Sequence, residues 1–186
     1  MRRDLGPQTW LYPMPVLIVG TYDENRVPNV MTAAWGGIHD TKQIAVCIDP
    51  GHKTADNLRR AGCFSVGAGT AETTAACDYV GLVSGRDVPD KLARAGWHAH
   101  PGTHVDAPVV EELPFVLECR LVSFDPQTGC TAGDIVNVTV DECILNAEGK
   151  IDAEKLDPIV FDPVRHVYRK LGGIAGTAFA DGKKFK

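Results

Sequence analysis

Two neighbouring stretches decide the fold: Pro15-Val16-Leu17-Ile18-Val19-Gly20-Thr21 and Asn29-Val30-Met31-Thr32-Ala33-Ala34-Trp35. The first is a short continuous apolar run, too short for a buried helix and rich in β-branched residues, so it predicts a central strand. Between them, Tyr22 to Pro28 is polar and carries Asp23, Glu24, Asn25 and Pro28, the residues of a turn. The second stretch then pairs back on the first as a hairpin.

Outward from this hairpin the strand signals continue. Gln43 to Ile48 alternates, with Ile44, Val46 and Ile48 on one face. Asp49-Pro50-Gly51 breaks it, and Thr54 to Ala61 reads as a short helix with Thr54 as its N-cap and Gly62 closing it. Cys63 to Val66 is a fourth strand. Thr73 to Val83 and Val88 to Ala95 carry helical patterns, the second stopped by Gly96. Phe115 to Phe124 and Asp134 to Ile144 are predicted as long strands, the latter with Val136, Val138 and Val140 on one apolar face. Asn146 to Lys150 is a turn. Pro158 to Phe161 reads as extended and Val164 to Leu171 as helical. Strands outnumber helices and the helices cluster, which is not the alternation of a doubly wound sheet. A mainly β fold, an antiparallel barrel with added helices, is expected over residues 1–186 as one domain.

Composition narrows the class. The 186 residues hold 19 Lys and Arg against 24 Asp and Glu, a net charge of −5, which argues against nucleic acid as a partner. The basic run Lys183, Lys184 and Lys186 reads as a solvated tail. No apolar run approaches the roughly 18 residues of a membrane span. Arg2-Arg3 resembles a twin-arginine signal, but Asp4, Gly6, Pro7 and Gln8 follow where an apolar segment should stand. A cytoplasmic protein is expected. The six cysteines, at 47, 63, 77, 119, 130 and 143, have no Cys-x-x-Cys spacing. Cys47, Cys63, Cys119 and Cys143 lie in apolar runs and are expected as buried, reduced thiols.

Several motifs fail on their own chemistry. Gly67-Ala68-Gly69 follows a strand, but Glu72 stands where a dinucleotide loop needs its third glycine. Leu82 replaces the first glycine of a nucleophile elbow at Ser84-Gly85. His98, His100, His104 and Asp106 have ligand-like spacing, which keeps a metal-dependent enzyme as an alternative. Pro101-Gly102 between them reads as an adaptable surface loop, and the histidines then border a substrate side or a dimer surface.

The opening hairpin resembles that of the flavoredoxin-like branch of the flavin reductase family. The likeness continues in order through His52-Lys53-Thr54 with Asn57, Asp78-Tyr79-Val80-Gly81 to Ser84-Gly85, Asp90-Lys91, Glu118-Cys119-Arg120-Leu121 and Gly133-Asp134. It closes with Asp141, Ile151-Asp152, Lys155-Leu156, Pro158-Ile159, Tyr168, Leu171-Gly172 and Ala178-Phe179, and so covers about residues 12–180. Gly67-Ala68-Gly69 and the histidine loop depart from the family pattern.

The resemblance implies an FMN-binding split barrel of Greek-key type, a homodimer with flavin at the subunit interface, and NADH or NADPH as electron donor. The acceptor is a small molecule (free flavin, ferric iron or a quinone) or another protein. A non-enzymatic FMN electron carrier is the alternative. The implied cofactor residues are Asn29, Met31, Thr32, Ala33, Trp35, His52, Lys53, Thr54, Asn57, Ser84 and Lys91. Physical chemistry is consistent with this set. Thr54 and Asn57 near a helix N-terminus suit a phosphate, Lys53 and His52 add positive charge, and small Ala33 and Ala34 admit a ring. Trp35 suits core, interface or ring stacking equally. Ser84, Asp90 and Lys91 also read as a helix cap and surface ion pair. No acid–base dyad is expected, because the flavin carries the chemistry.

Overall fold

A computed structural model describes residues 1–186. Its centre is a seven-stranded antiparallel sheet. In chain order the first elements are β1 (Met14–Pro15), β2 (Leu17–Tyr22), β3 (Pro28–Ala33), β4 (Gly36–Asp40) and β5 (Gln43–Cys47). Then come helix α1 (Lys53–Ala61), β6 (Cys63–Ala68), α2 (Thr74–Leu82), α3 (Lys91–Arg94), β7 (Ala99–Pro101) and β8 (Pro108–Val110). The chain ends with β9 (Phe115–Phe124), β10 (Cys130–Val140), α4 (Ala153–Leu156), β11 (Ile159–Asp162) and β12 (Val167–Lys170).

The large sheet runs β3-β2-β6-β9-β10-β5-β4. β3 and β4 lie at its opposite edges, yet only Ala34 and Trp35 separate them in the chain. Three peptide steps reach about 11 Å at most. The sheet has therefore curled until its two edges adjoin, which makes it a split barrel.

The apolar run of β2 is continuous because both faces of the strand are covered. Val19 points into the barrel with Ile44, Val46, Ile48, Phe64, Val66 and Leu117, capped by Ala55 and Leu58 of α1. Val16 and Ile18 point outward, under Cys77 and Val80 of α2, Leu92 of α3, and Trp97, Val109 and Ile159. Side chains alternate between faces along a strand, so one run feeds two cores.

The structure departs from expectation in places. Helix α1 begins at Lys53, with His52 as its N-cap, and Thr54 is buried inside the first turn. The second helical pattern shrinks to Lys91–Arg94. β10 starts at Cys130 and ends at Val140, and residues 142–144 turn away as a 3-10 helix. β4 was not legible at all. Val164 to Leu171 is not helical. Asp162 Oδ1 accepts from the N–H groups of Val164 (3.1 Å) and Arg165 (3.0 Å), and this turn sends Val167–Lys170 back as β12 against β11. All six cysteines are free, but only Cys63, Cys77 and Cys119 are buried. Cys47 is exposed because its neighbours Val46 and Ile48 both take the inner face. Cys143 is exposed in the 3-10 turn. No helix is long and apolar enough to cross a membrane.

Candidate functional site

A cavity of about 210 Å³ opens where β3, the start of α1 and the segment after α2 meet. Asn29, Met31, His52, Lys53, Thr54, Ser84 and Lys91 line it, together with Val80, Gly81, Leu82, Val83 and Gly85. Residues more than sixty positions apart in the chain thus converge on one cavity.

Its charge is the informative feature. Lys91 is 2% exposed. Its ammonium donates to the carbonyls of Val80 (3.1 Å) and Val83 (3.0 Å), with no carboxylate among its partners. Asp90, the ion-pair partner considered from sequence, instead bonds Arg94 at 2.9 Å. Burial, and then repulsion from Lys53, pull the Lys91 pKa down to about 8. Lys53 lies 2.9 Å from Asp23 Oδ2 and 3.4 Å from the Gly85 carbonyl. Burial raises the pKa of Asp23. The Lys53 ammonium and the N–H groups of Val27 and Asn25 outweigh that and leave it lowered. Asp23 answers Lys53 alone and Lys91 has no counter-charge, so the cavity holds an excess of positive charge.

The polar remainder is arranged around the same opening. Asn29 Nδ2 donates to Thr54 Oγ1 at 2.9 Å, while Asn29 Oδ1 is buried without a partner. Gly85 packs against that oxygen so closely that a Cβ there would overlap it. His52 caps α1 with no side-chain hydrogen bond, so no side chain takes up the N–H groups of the first turn. Ser84 Oγ accepts from the Arg86 N–H at 3.2 Å and shapes the turn.

Other predicted residues lie outside this cavity. Asn57 is buried and donates to Thr21 Oγ1 at 3.1 Å, tying α1 to β2. Ala33 belongs to the barrel core. Thr32 donates its hydroxyl to the Cys77 carbonyl and, with Ala34, lines an adjoining hollow shared with Gly81 and Leu82. Ala34 and Trp35 continue into a third, mostly apolar trough of about 570 Å³ under the N-terminal segment. The three hollows form one track along β3, from the lysines to Trp35, which is 54% exposed. Sequence reading missed Asp23 and the carbonyls of Val80 and Val83. Asp23 looked like an ordinary turn residue, and backbone carbonyls carry no sequence signal.

The histidine segment is built differently. Residues 99–101 and 108–110 form a hairpin, with the Gly102 N–H on the Ala107 carbonyl at 2.8 Å, so it is not an adaptable loop. His98 Nδ1 meets Glu112 at 2.8 Å, His100 Nδ1 meets the Pro101 carbonyl at 3.0 Å, and His104 Nδ1 meets Glu118 at 3.3 Å. The three imidazoles take separate partners and do not converge on a point. Glu112 raises the His98 pKa. None of residues 98–106 lines the track along β3.

Residues 9–166 match the flavin reductase like domain family. The chain belongs to this family. Among solved structures it is similar to flavoredoxin of Desulfovibrio vulgaris (Miyazaki F), with 37% identity and a TM-score of 0.93, over 98% of this chain and 100% of that one. It is also similar to flavoredoxin from Methanosarcina acetivorans, with 27% identity and a TM-score of 0.92, over the whole of both chains. An uncharacterized protein of Aeropyrum pernix is 29% identical over 113 residues, which are 60% of this chain and 43% of the relative's length. The family and fold expected from the resemblance over residues 12–180 are thus shown.

Proposed function

We propose that this flavin reductase-like protein binds FMN along β3, with the phosphate in the lysine cavity, and transfers electrons through it. The carrying observation is Lys91, a buried cation whose partners are two carbonyls and no anion. Isolated buried charges are costly, and a phosphate beside Lys91 and Lys53 offsets that cost. The orphaned Asn29 Oδ1 needs a donor, which a ribityl hydroxyl supplies. β3 is a sheet edge, so alternate backbone groups of Met31 to Ala33 point away from β2 and are available to a flavin ring. Small Ala34 leaves room beside it. Bound FMN supplies reversible electron transfer between a donor and an acceptor. The protein's own residues hold the phosphate, orient the ring and keep one face dry.

NADH or NADPH is the proposed donor, with a small molecule or a protein as acceptor. The likeness to two flavoredoxins supports the carrier reading beside the enzymatic one. Steady-state oxidation of NADH and NADPH separates them: fast turnover marks a reductase, slow turnover a carrier. We further propose a homodimer. Trp10, Leu11, Trp35 and Ile38 are 42%, 70%, 54% and 73% exposed around the apolar trough, and a second copy would cover them. Six free thiols suit a reducing cytoplasm.

The test is titration of flavin-free protein with FMN, followed by absorption and by sedimentation. The reading expects stoichiometric binding by a dimer. Absence of FMN binding by the wild-type chain, or a fully flavin-loaded monomer, overturns it.

A further inference from the structure

Cys47 and Cys130 stand 83 positions apart in the sequence. The fold makes them direct partners, since β5 and β10 pair in a register that sets Cys47 opposite Cys130. The ladder bond beside them runs from the Ile48 N–H to the Gly129 carbonyl at 2.9 Å. That makes Cys47–Cys130 a non-hydrogen-bonded pair. Such pairs are the close ones, with Cα atoms about 4.5 Å apart and both side chains on the same face. Disulfides need Cα separations of roughly 4.4–6.8 Å. Gly129 has φ +72 and packs directly on the Ile48 carbonyl, which holds the start of β10 against the end of β5. Both thiols are free and exposed in the protomer; Cys47 lines the apolar trough that the proposed dimer covers, whereas Cys130 lies outside it.

We propose that Cys47 and Cys130 are a dithiol–disulfide redox site that exchanges with small disulfides. The step balances as follows. The Cys130 thiolate attacks one sulfur of a small disulfide RSSR, releasing one RS⁻. The Cys47 thiolate then displaces the second RS⁻ from the mixed disulfide. One cross-strand S–S bond forms, the two cysteines lose two electrons and two protons, and RSSR becomes two RSH. A dithiol reverses it. The order follows from the local environment. Cys130 lies outside the apolar trough that Cys47 lines, so it meets the small disulfide first, and burial and the neighbouring Cys130 sulfur push the Cys47 thiol up. No step of this exchange uses the flavin.

The bond would close a long loop between the strands, and long loops gain the most from cross-linking. A rise in Tm of about 5–10 °C is expected on oxidation.

The experiment treats the native full-length protein with oxidised glutathione, then maps its peptides and counts its thiols. The expected result is loss of two thiols, with Cys47 linked to Cys130 in one chain, and reversal by dithiothreitol. Cys47→Ser should instead trap a glutathione adduct on Cys130, and faster than Cys130→Ser traps one on Cys47. Cys143→Ser should leave the linkage unchanged. Stable adducts on both cysteines of the wild type, bridges only between chains, or no loss of these thiols would each overturn the proposal. Both serine substitutions are at exposed positions, so the variants should fold, and thermal unfolding checks this.

Discussion

The lysine cavity and the histidine hairpin both gather ionisable groups and do opposite things with them. Around the hairpin, charge is closed on itself. Glu118 is fully buried, yet it accepts from Asn137 Nδ2 at 2.8 Å and from the N–H groups of His104 (2.7 Å) and Val105 (3.2 Å). Burial pushes its pKa up, but these bonds outweigh burial and hold it at about 2. In the cavity, by contrast, Lys91 is buried without a counter-charge, and its pKa moves away from the charged form to about 8. A satisfied buried charge braces a fold. An unsatisfied one marks a place where a ligand of opposite sign completes the electrostatics.

The largest effect that sharpens this contrast should come from the braced side. Glu118→Gln keeps the shape but loses the charge-assisted bonds, and should cost about 3 kcal/mol in urea denaturation. The pH dependence has a definite sign. A carboxyl held at about 2 when folded, against about 4.3 unfolded, contributes fully above pH 4.3, and its contribution is lost as pH falls toward 2. The wild type should therefore lose stability over that window, and the variant should lose less. Equal acid sensitivity would show that Glu118 is not the anchor.

Next come the lysines. Lys53→Met and Lys91→Met should each weaken FMN binding about ten- to a hundredfold, read by flavin fluorescence titration. They should differ without flavin. Lys91→Met removes a buried, unpaired cation, so flavin-free protein should become more stable, by about 1 kcal/mol, whereas Lys53→Met strands Asp23 and should destabilise. A destabilised flavin-free Lys91→Met protein would break the comparison drawn above.

A smaller effect is expected from pH. A bound phosphate favours charged Lys91, so FMN affinity should fall as pH rises through about 8, and this slope should flatten in Lys91→Met. The smallest effect belongs to the hairpin histidines. His98→Gln, His100→Gln and His104→Gln together should change FMN affinity less than threefold, a loss below about 1 kcal/mol. A larger loss would bring the hairpin back to the flavin site.

Legibility in the sequence followed the range of the interactions. The β2–β3 hairpin, β5, α1 with its Gly62 stop, and β9 were readable because alternation and turn chemistry act between neighbours. β4 escaped because Gly36 and Gly37 open it and its side chains are almost all exposed, so no apolar pattern marks it. β12 escaped because Val164 to Leu171 has no decisive period, and only pairing with β11 made it a strand. Site residues such as Lys53 and Thr54 stood out beside a helix start. Lys91 stood out only by resemblance, since its neighbour Asp90 suggested an ordinary surface pair.

The order of residues by itself determined that this chain makes a curled antiparallel sheet, and that β2 must be covered on both faces. Local geometry enforces both, because each side chain's direction follows from its neighbours in the strand. Tertiary structure alone decided which charges lack partners and which distant residues touch. Burial of Lys91, the turn of Gly85 onto Asn29 and the register of Cys47 against Cys130 each depend on segments brought together across the chain. Solvation and contact are properties of that three-dimensional packing, and no local pattern encodes them.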